Sequence, residues 1–152
     1  MISISRATKV ELPELTELVH QYRAFYKQER SEEVSEFLEQ RITNDEAIIF
    51  LANYVEELNI RAVGFTLIYP TFSTVSLSTI WLLNDLFVDP NYRRHGIADL
   101  LMDTAETAAQ DAGATRVFLR TAHDNLTAQA LYEKRGWVQD ETFRRYDLLF
   151  NS

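Results

Sequence analysis

The sequence predicts an α/β fold, and three observations carry that expectation. Two segments with apolar residues at helical spacing follow a short alternating N-terminal strand. Two further strands lead to 79–88, a near-continuous apolar run that reads as a central strand buried on both faces. Beyond it a helix, a short strand and a second helix continue a βαβα order, the connection that parallel strands require.

Taken in order, Ile2, Ile4 and Arg6 alternate as the first strand. From Glu11 to about Tyr26, Leu12, Leu15, Leu18, Val19, Tyr22, Phe25 and Tyr26 fall at helical spacing. Ser31 opens a second helix with an apolar stripe at Val34, Phe37, Leu38 and Ile42, and Asn44-Asp45 ends it. Strands are expected at 47–54 and 60–69, joined by the polar stretch 53–59, with Pro70 closing the second. A loop rich in Ser, Thr and aromatic residues, 71–78, precedes the buried strand, which Pro90 stops. The next helix carries Leu100, Leu101, Thr104, Ala105 and Ala108 on one side and ends at Gly113. A short strand at 116–121, a helix at 125–134 capped by Gly136, and a final alternating strand at 143–150 complete the chain.

The 152 residues fit one domain, 1–152, large enough to bury a core without staples. There is no cysteine, so disulfides, thiolate metal sites and cysteine nucleophiles are excluded. No run of about 18 apolar residues occurs and the N-terminus lacks a signal-like pattern, so a cytoplasmic protein is expected. The net charge of −8 is unevenly spread: 11–58 holds twelve acidic and four basic residues, the remainder eleven of each. That imbalance disfavours nucleic acid and suits a cationic partner, although Glu29, Glu32, Glu33, Glu36 and Glu39 also read as a plain solvated helix face. His20, His95 and His123 do not fall at metal-ligand spacing, and no metal is expected.

The most informative stretch is 83–101, LLNDLFVDPNYRRHGIADL, where an apolar strand ends in a turn and two arginines precede a glycine that opens a helix. The first N–H groups of a helix lack intrahelical partners and sit at the positive end of its dipole. The amides of Arg94, His95, Gly96, Ile97 and Ala98 can therefore converge on a pyrophosphate, with Arg93 and Arg94 supplying charge. The dinucleotide and P-loop fingerprints are both absent. What is present is R-x-x-G-x-A at Arg93, Gly96 and Ala98, followed about thirty residues later by Asn125-x-x-Ala128-x-x-Leu131-Tyr132-x-x-x-Gly136-Trp137.

These two motifs, in this order and at this distance, resemble the GNAT superfamily of acetyl-CoA-dependent N-acetyltransferases over most of 60–150. LNDLFVDP, LYEKRGW and RRYDLLF look like its histone and polyamine acetyltransferase-like branch. The resemblance implies a central mixed sheet of six or seven strands flanked by about four helices, and acetyl-CoA as acyl donor. It implies that the strand ending Leu86-Phe87-Val88 splays from its parallel neighbour and that an N–H near Leu86 or Phe87 polarises the thioester. The cofactor would lie across Leu86, Phe87, Val88, the 93–98 cradle and Asp99, with Asn125 holding pantetheine or pyrophosphate and Ala128 leaving it room. Tyr132 takes the role of general acid toward the departing thiolate.

An alkylammonium is no nucleophile at neutral pH, so the acceptor must lose a proton. Asp85 is the carboxylate nearest the expected thioester, as base or as ammonium site; a structural role at a strand kink reads equally well. Asn84 stands where diamine-acetylating relatives carry Glu. Tyr22, Tyr26, Trp81 and Phe72 offer aromatic faces for an ammonium, or serve as plain packing. The expected function is acetyl transfer to a primary amine, either small and polyamine-like or on a lysine or N-terminus, in a homodimer. A non-catalytic acetyl-CoA sensor is the alternative.

Overall fold

The computed structural model describes residues 1–150, in two compact units, 1–120 and 121–150. The first unit holds β1 (Ile2–Arg6), a 3-10 turn (Lys9–Glu11), α1 (Leu12–Phe25), α2 (Glu33–Thr43), β2 (Ile48–Glu56), β3 (Asn59–Ser73), β4 (Ser78–Val88), a second 3-10 turn (Pro90–Tyr92), α3 (Ile97–Asp111) and β5 (Val117–Phe118). Its five strands run in sequence order, β1 to β4 antiparallel and β5 parallel to β4. The mixed α/β fold is as expected; the sheet has five strands among the described residues rather than six or seven.

Alternation along the strands divides the core between two sheet faces. Ile49 and Leu51 of β2, Phe65 and Leu67 of β3 and Phe87 of β4 form one face, against Leu15 and Leu18 of α1 and Val34 and Leu38 of α2. Each such leucine, at most 2 % exposed, contributes about 1.5–3 kcal/mol by leaving water. The opposite face receives α3, whose Ile97, Leu101, Met102, Ala105 and Ala109 are buried along one stripe.

Three boundaries differ from expectation. Pro70 lies inside β3, opposite Trp81, instead of ending it. The last β2–β3 pair is Ile48 with Ile68, so beyond Ile68 one edge of β3 is free and a missing N–H costs no ladder bond. The expected loop 71–78 is therefore mostly the outer end of the β3–β4 hairpin, with its turn at 74–77. β5 is two residues long instead of spanning 116–121.

The second unit contains α4 (Leu126–Lys134), ended by Gly136 at φ 91. The expected strand at 143–150 does not form. Its alternation is present, but among the described residues of this unit there is no strand to pair with, and Phe143, Tyr146, Leu148, Leu149 and Phe150 are exposed.

Candidate functional site

Leu67 of β3 pairs with Asp85 of β4, whereas Ile68 pairs with Leu83, so Asn84 is an extra residue in β4. This bulge changes which residues share a face. Asp85 and Phe87 lie with Leu67 and Phe65 on the α1–α2 side; Leu83 and Trp81 lie with Ile68 and Pro70 on the other. Trp81 is accordingly packed at 4 % exposure and lines no part of the pocket in front of Asp85.

That pocket, about 400 Å³, lies between α1, α2 and the β3–β4 pair. Val19, Tyr22, Val34, Phe37, Leu38, Phe65, Leu67 and Tyr69 form its apolar and aromatic walls; Arg23, Ser31, Glu33, Asn84 and Asp85 are its polar members. The Asn84 Nδ2 donates to Asp85 Oδ2 at 2.9 Å, and the Thr66 hydroxyl, fully buried behind the strand, donates to the Asp85 carbonyl at 2.8 Å. Burial pushes the Asp85 carboxyl above its ordinary value, against opposing hydrogen bonds from Asn84 and Tyr22. The Tyr22 hydroxyl is itself raised, by burial first and then by the charge of Asp85. Its ring stands edge-on to Phe65 at 5.6 Å and to Tyr26 at 5.3 Å. Tyr26 is 54 % exposed and does not line the pocket; Phe72 stands in an adjoining open cleft.

Pairing of β4 with β5 stops at Leu82 and Phe118, while β4 continues to Val88. The Asp89 N–H donates to the Val63 carbonyl at 2.8 Å, which sets the direction of the preceding amides. By strand alternation Phe87 points its N–H toward β3, and Leu86 and Val88 point theirs to the opposite, open edge. The Val88 carbonyl on that edge accepts from Arg93 Nε at 3.2 Å. Of the two amides considered for the thioester, only that of Leu86 is therefore available. Gly64 makes the arrangement possible: a Cβ there would lie 2.8 Å from the Phe87 carbonyl oxygen.

The turn after β4 is built by Asp89, 4 % exposed, whose Oδ1 accepts from the Asn91 N–H at 2.9 Å. Arg61 stands 4.0 Å from its other oxygen and over the Tyr92 ring. Arg94 and Gly96 then take left-handed conformations, at φ 69 and φ 72, and α3 begins at Ile97. The main-chain N–H groups of Arg94, His95, Gly96, Ile97 and Ala98 have no partner among the described residues. Asp99 lies in the first turn of α3. A Cβ on Gly96 would meet nothing within 4 Å, so glycine is favoured there by backbone conformation and not by crowding.

In the second unit Asn125 caps α4, its Oδ1 accepting from the Ala128 N–H at 3.2 Å. The oxygen of the side-chain amide that the motif assigns to a cofactor is thus engaged by the helix, which leaves its Nδ2 as the group that can face a ligand. Tyr132, half-buried, packs on Trp137 with ring centroids 6.0 Å apart, and its carbonyl accepts from the Trp137 N–H at 2.9 Å.

A model of the acetyltransferase (GNAT) family matches residues 13–137. The chain belongs to the GNAT family. This GNAT protein is 38 % identical over 148 residues, 97 % of either chain, to the "Uncharacterized N-acetyltransferase YhfO" of Bacillus subtilis strain 168. It is 25 % identical, over the same share of each chain, to a "Probable acetyltransferase" of Haemophilus influenzae. A crystal structure described as a "probable acetyltransferase" superposes with a TM-score of 0.91, at 35 % identity and 99 % of both chains. It is an acyltransferase of the N-acetyltransferase kind. None of these comparisons selects the histone and polyamine branch.

The sequence left several residues of this GNAT site unmarked. Val34, Phe37 and Leu38 stood out as a helix stripe, but nothing assigned them to a pocket. Thr66 and Gly64 act through contacts with residues about twenty positions away, which no local pattern announces. Arg61 likewise meets Asp89 only through the fold.

Proposed function

We propose that this GNAT enzyme, a single domain over 1–152, transfers the acetyl group of acetyl-CoA to a primary amine by direct attack. The amine nitrogen bonds to the acetyl carbonyl carbon, the C–S bond breaks, and coenzyme A leaves as its thiol. The observation that carries this reading is the edge of β4 beyond Leu82, which β5 leaves unpaired, followed by the amides 94–98, unpartnered among the described residues. An extended pantetheine arm suits the edge, a pyrophosphate suits the amides with Arg94, and the Leu86 N–H polarises the thioester carbonyl.

Asp85 orients the arriving ammonium and takes a proton from it, a role favoured by its raised pKa. A second proton leaves the nitrogen for solvent after attack, and Tyr132 supplies one to sulfur and regains it from water. For Tyr132, and for Asn125 and Ala128 at the cofactor, the support is their place in the family motif. The same resemblance suggests a homodimer, and the absence of cysteine agrees with a cytoplasmic setting. Isothermal titration with acetyl-CoA followed by thiol-release assays with amines tests the proposal. Heat of binding and amine-dependent thiol release are expected; no heat, or release that no amine accelerates, overturns it.

A further inference from the structure

The pocket before Asp85 holds one net negative charge. Of the acidic residues on α2 only Glu33 belongs to its wall; it is exposed, at the rim, and Arg23 there carries the opposite charge. Asp85 remains as the single carboxylate at the buried end, with the Asn84 amide and Tyr22 beside it. Between rim and floor the walls are chiefly Val34, Leu38, Phe65 and Leu67, which offer a substrate no hydrogen bond, and the Ser31 and Tyr69 hydroxyls are the further polar groups of the lining. A volume of about 400 Å³ is at the small end for a ligand site, suited to one ring or a branched alkyl group.

We infer that the acceptor is a lipophilic primary monoamine, one ammonium on a compact aryl or branched-alkyl body, with the ammonium at Asp85 and the body against Phe65, Leu67 and Val34. This rests on the acetyl-transfer reading above. Charge and polarity argue it from both sides. A single ammonium matches the single uncompensated carboxylate, whereas a polyamine or aminoglycoside would leave further cationic and hydroxyl groups desolvated against apolar walls. Apolar walls in turn gain from an apolar body and gain nothing from a polar one. Past Phe37 and Tyr69 an adjoining cleft holds Asp45 and Glu46 together with Arg41, which sits 3.3 Å from Glu46 and over the Phe37 ring. Those carboxylates lie outside the pocket and serve only an acceptor long enough to leave it, which makes spermidine the informative competitor.

The test is thiol release from acetyl-CoA with phenethylamine, isoamylamine, putrescine, spermidine, kanamycin and a lysine-bearing peptide. The expected result is a kcat/KM for phenethylamine or isoamylamine at least tenfold above every other acceptor. Equal or better use of putrescine, spermidine, kanamycin or the peptide overturns the inference and leaves acetyl transfer standing. Acetyl-CoA binding without release by any amine overturns acetyl transfer instead, and calorimetry with phenethylamine then decides the pocket: binding supports the inference and no binding overturns it. Phe37→Asp is a second arm. Phe37 lines the pocket yet is 49 % exposed, so a charge there is compatible with folding, which circular dichroism checks. The ratio of phenethylamine to putrescine kcat/KM is expected to fall at least tenfold in this variant, and an unchanged ratio overturns the assignment.

Discussion

The Asn84 side chain donates to the carboxylate of Asp85, its immediate neighbour on β4, at 2.9 Å, and both side chains line the same pocket. Consecutive strand residues ordinarily point to opposite faces. Here the bulge opposite Leu67 and Ile68 brings the two together, and Thr66 secures the distortion from behind through the Asp85 carbonyl. A carboxylate held in this way is desolvated yet still hydrogen-bonded, the condition for a group that must exchange a proton.

Asp85→Asn is expected to stabilise the fold while impairing the reaction. Burial raises the Asp85 pKa, so above the ordinary value of 3.8 the folded state retains a proton that the unfolded chain releases. Stability therefore falls as pH rises from that value through the folded pKa, and the full cost persists at neutral pH. Urea midpoints at pH 7.5 should be higher for the variant, with the difference shrinking toward pH 4. Acceptor kcat/KM should drop roughly 100- to 10,000-fold, and the acidic limb of its pH profile should disappear.

Gly64→Ala places a methyl group 2.8 Å from the Phe87 carbonyl oxygen and within 3.5 Å of Ile97 and Leu101. The β3–β4 pair and the start of α3 must separate, at a cost of about 1–3 kcal/mol. Because the displaced backbone includes the Leu86 amide, a raised KM for acetyl-CoA should accompany the lowered urea midpoint.

At Gly96 the two effects separate. Gly96→Val forces a branched residue to φ 72, costing on the order of 1–2 kcal/mol in the left-handed region, with nothing within 4 Å of its Cβ. Its larger effect should be on acetyl-CoA affinity measured by calorimetry, lowered tenfold or more as the side chain enters the space before the amides. Unaltered affinity would place the pyrophosphate elsewhere.

Tyr132→Phe keeps the ring that packs against Trp137 and removes only the hydroxyl. Turnover should fall roughly 10- to 1,000-fold, with acetyl-CoA affinity little changed, because protonation of the leaving thiolate is lost. The deficit should lessen with acyl donors whose thiol is more acidic, a dependence that a packing role does not produce.

Much of the framework was legible along the chain because it depends on neighbours within one or two turns. The helix stripes of α1 and α2 and the glycines at 113 and 136 that end helices all follow from local backbone requirements. Other features were not legible, because their causes lie in distant residues. Pro70 reads as a strand end until β2 is seen to stop at Ile48. The alternation at 143–150 reads as a strand, yet pattern supplies only the willingness to pair, and no partner strand stands among the described residues of its unit.

By itself the sequence determined the order of the four helices and the first five strands and the helix start at Gly96, since periodicity and turn chemistry act within a few residues. Tertiary structure alone decided which side chains share the pocket. One unpaired residue at Asn84 reverses the facing of everything before it, sending Trp81 to the opposite side of the sheet from Asp85. That register is chosen by the packing of β3 against β4 across about twenty residues of chain, so no local pattern in 79–88 could announce it.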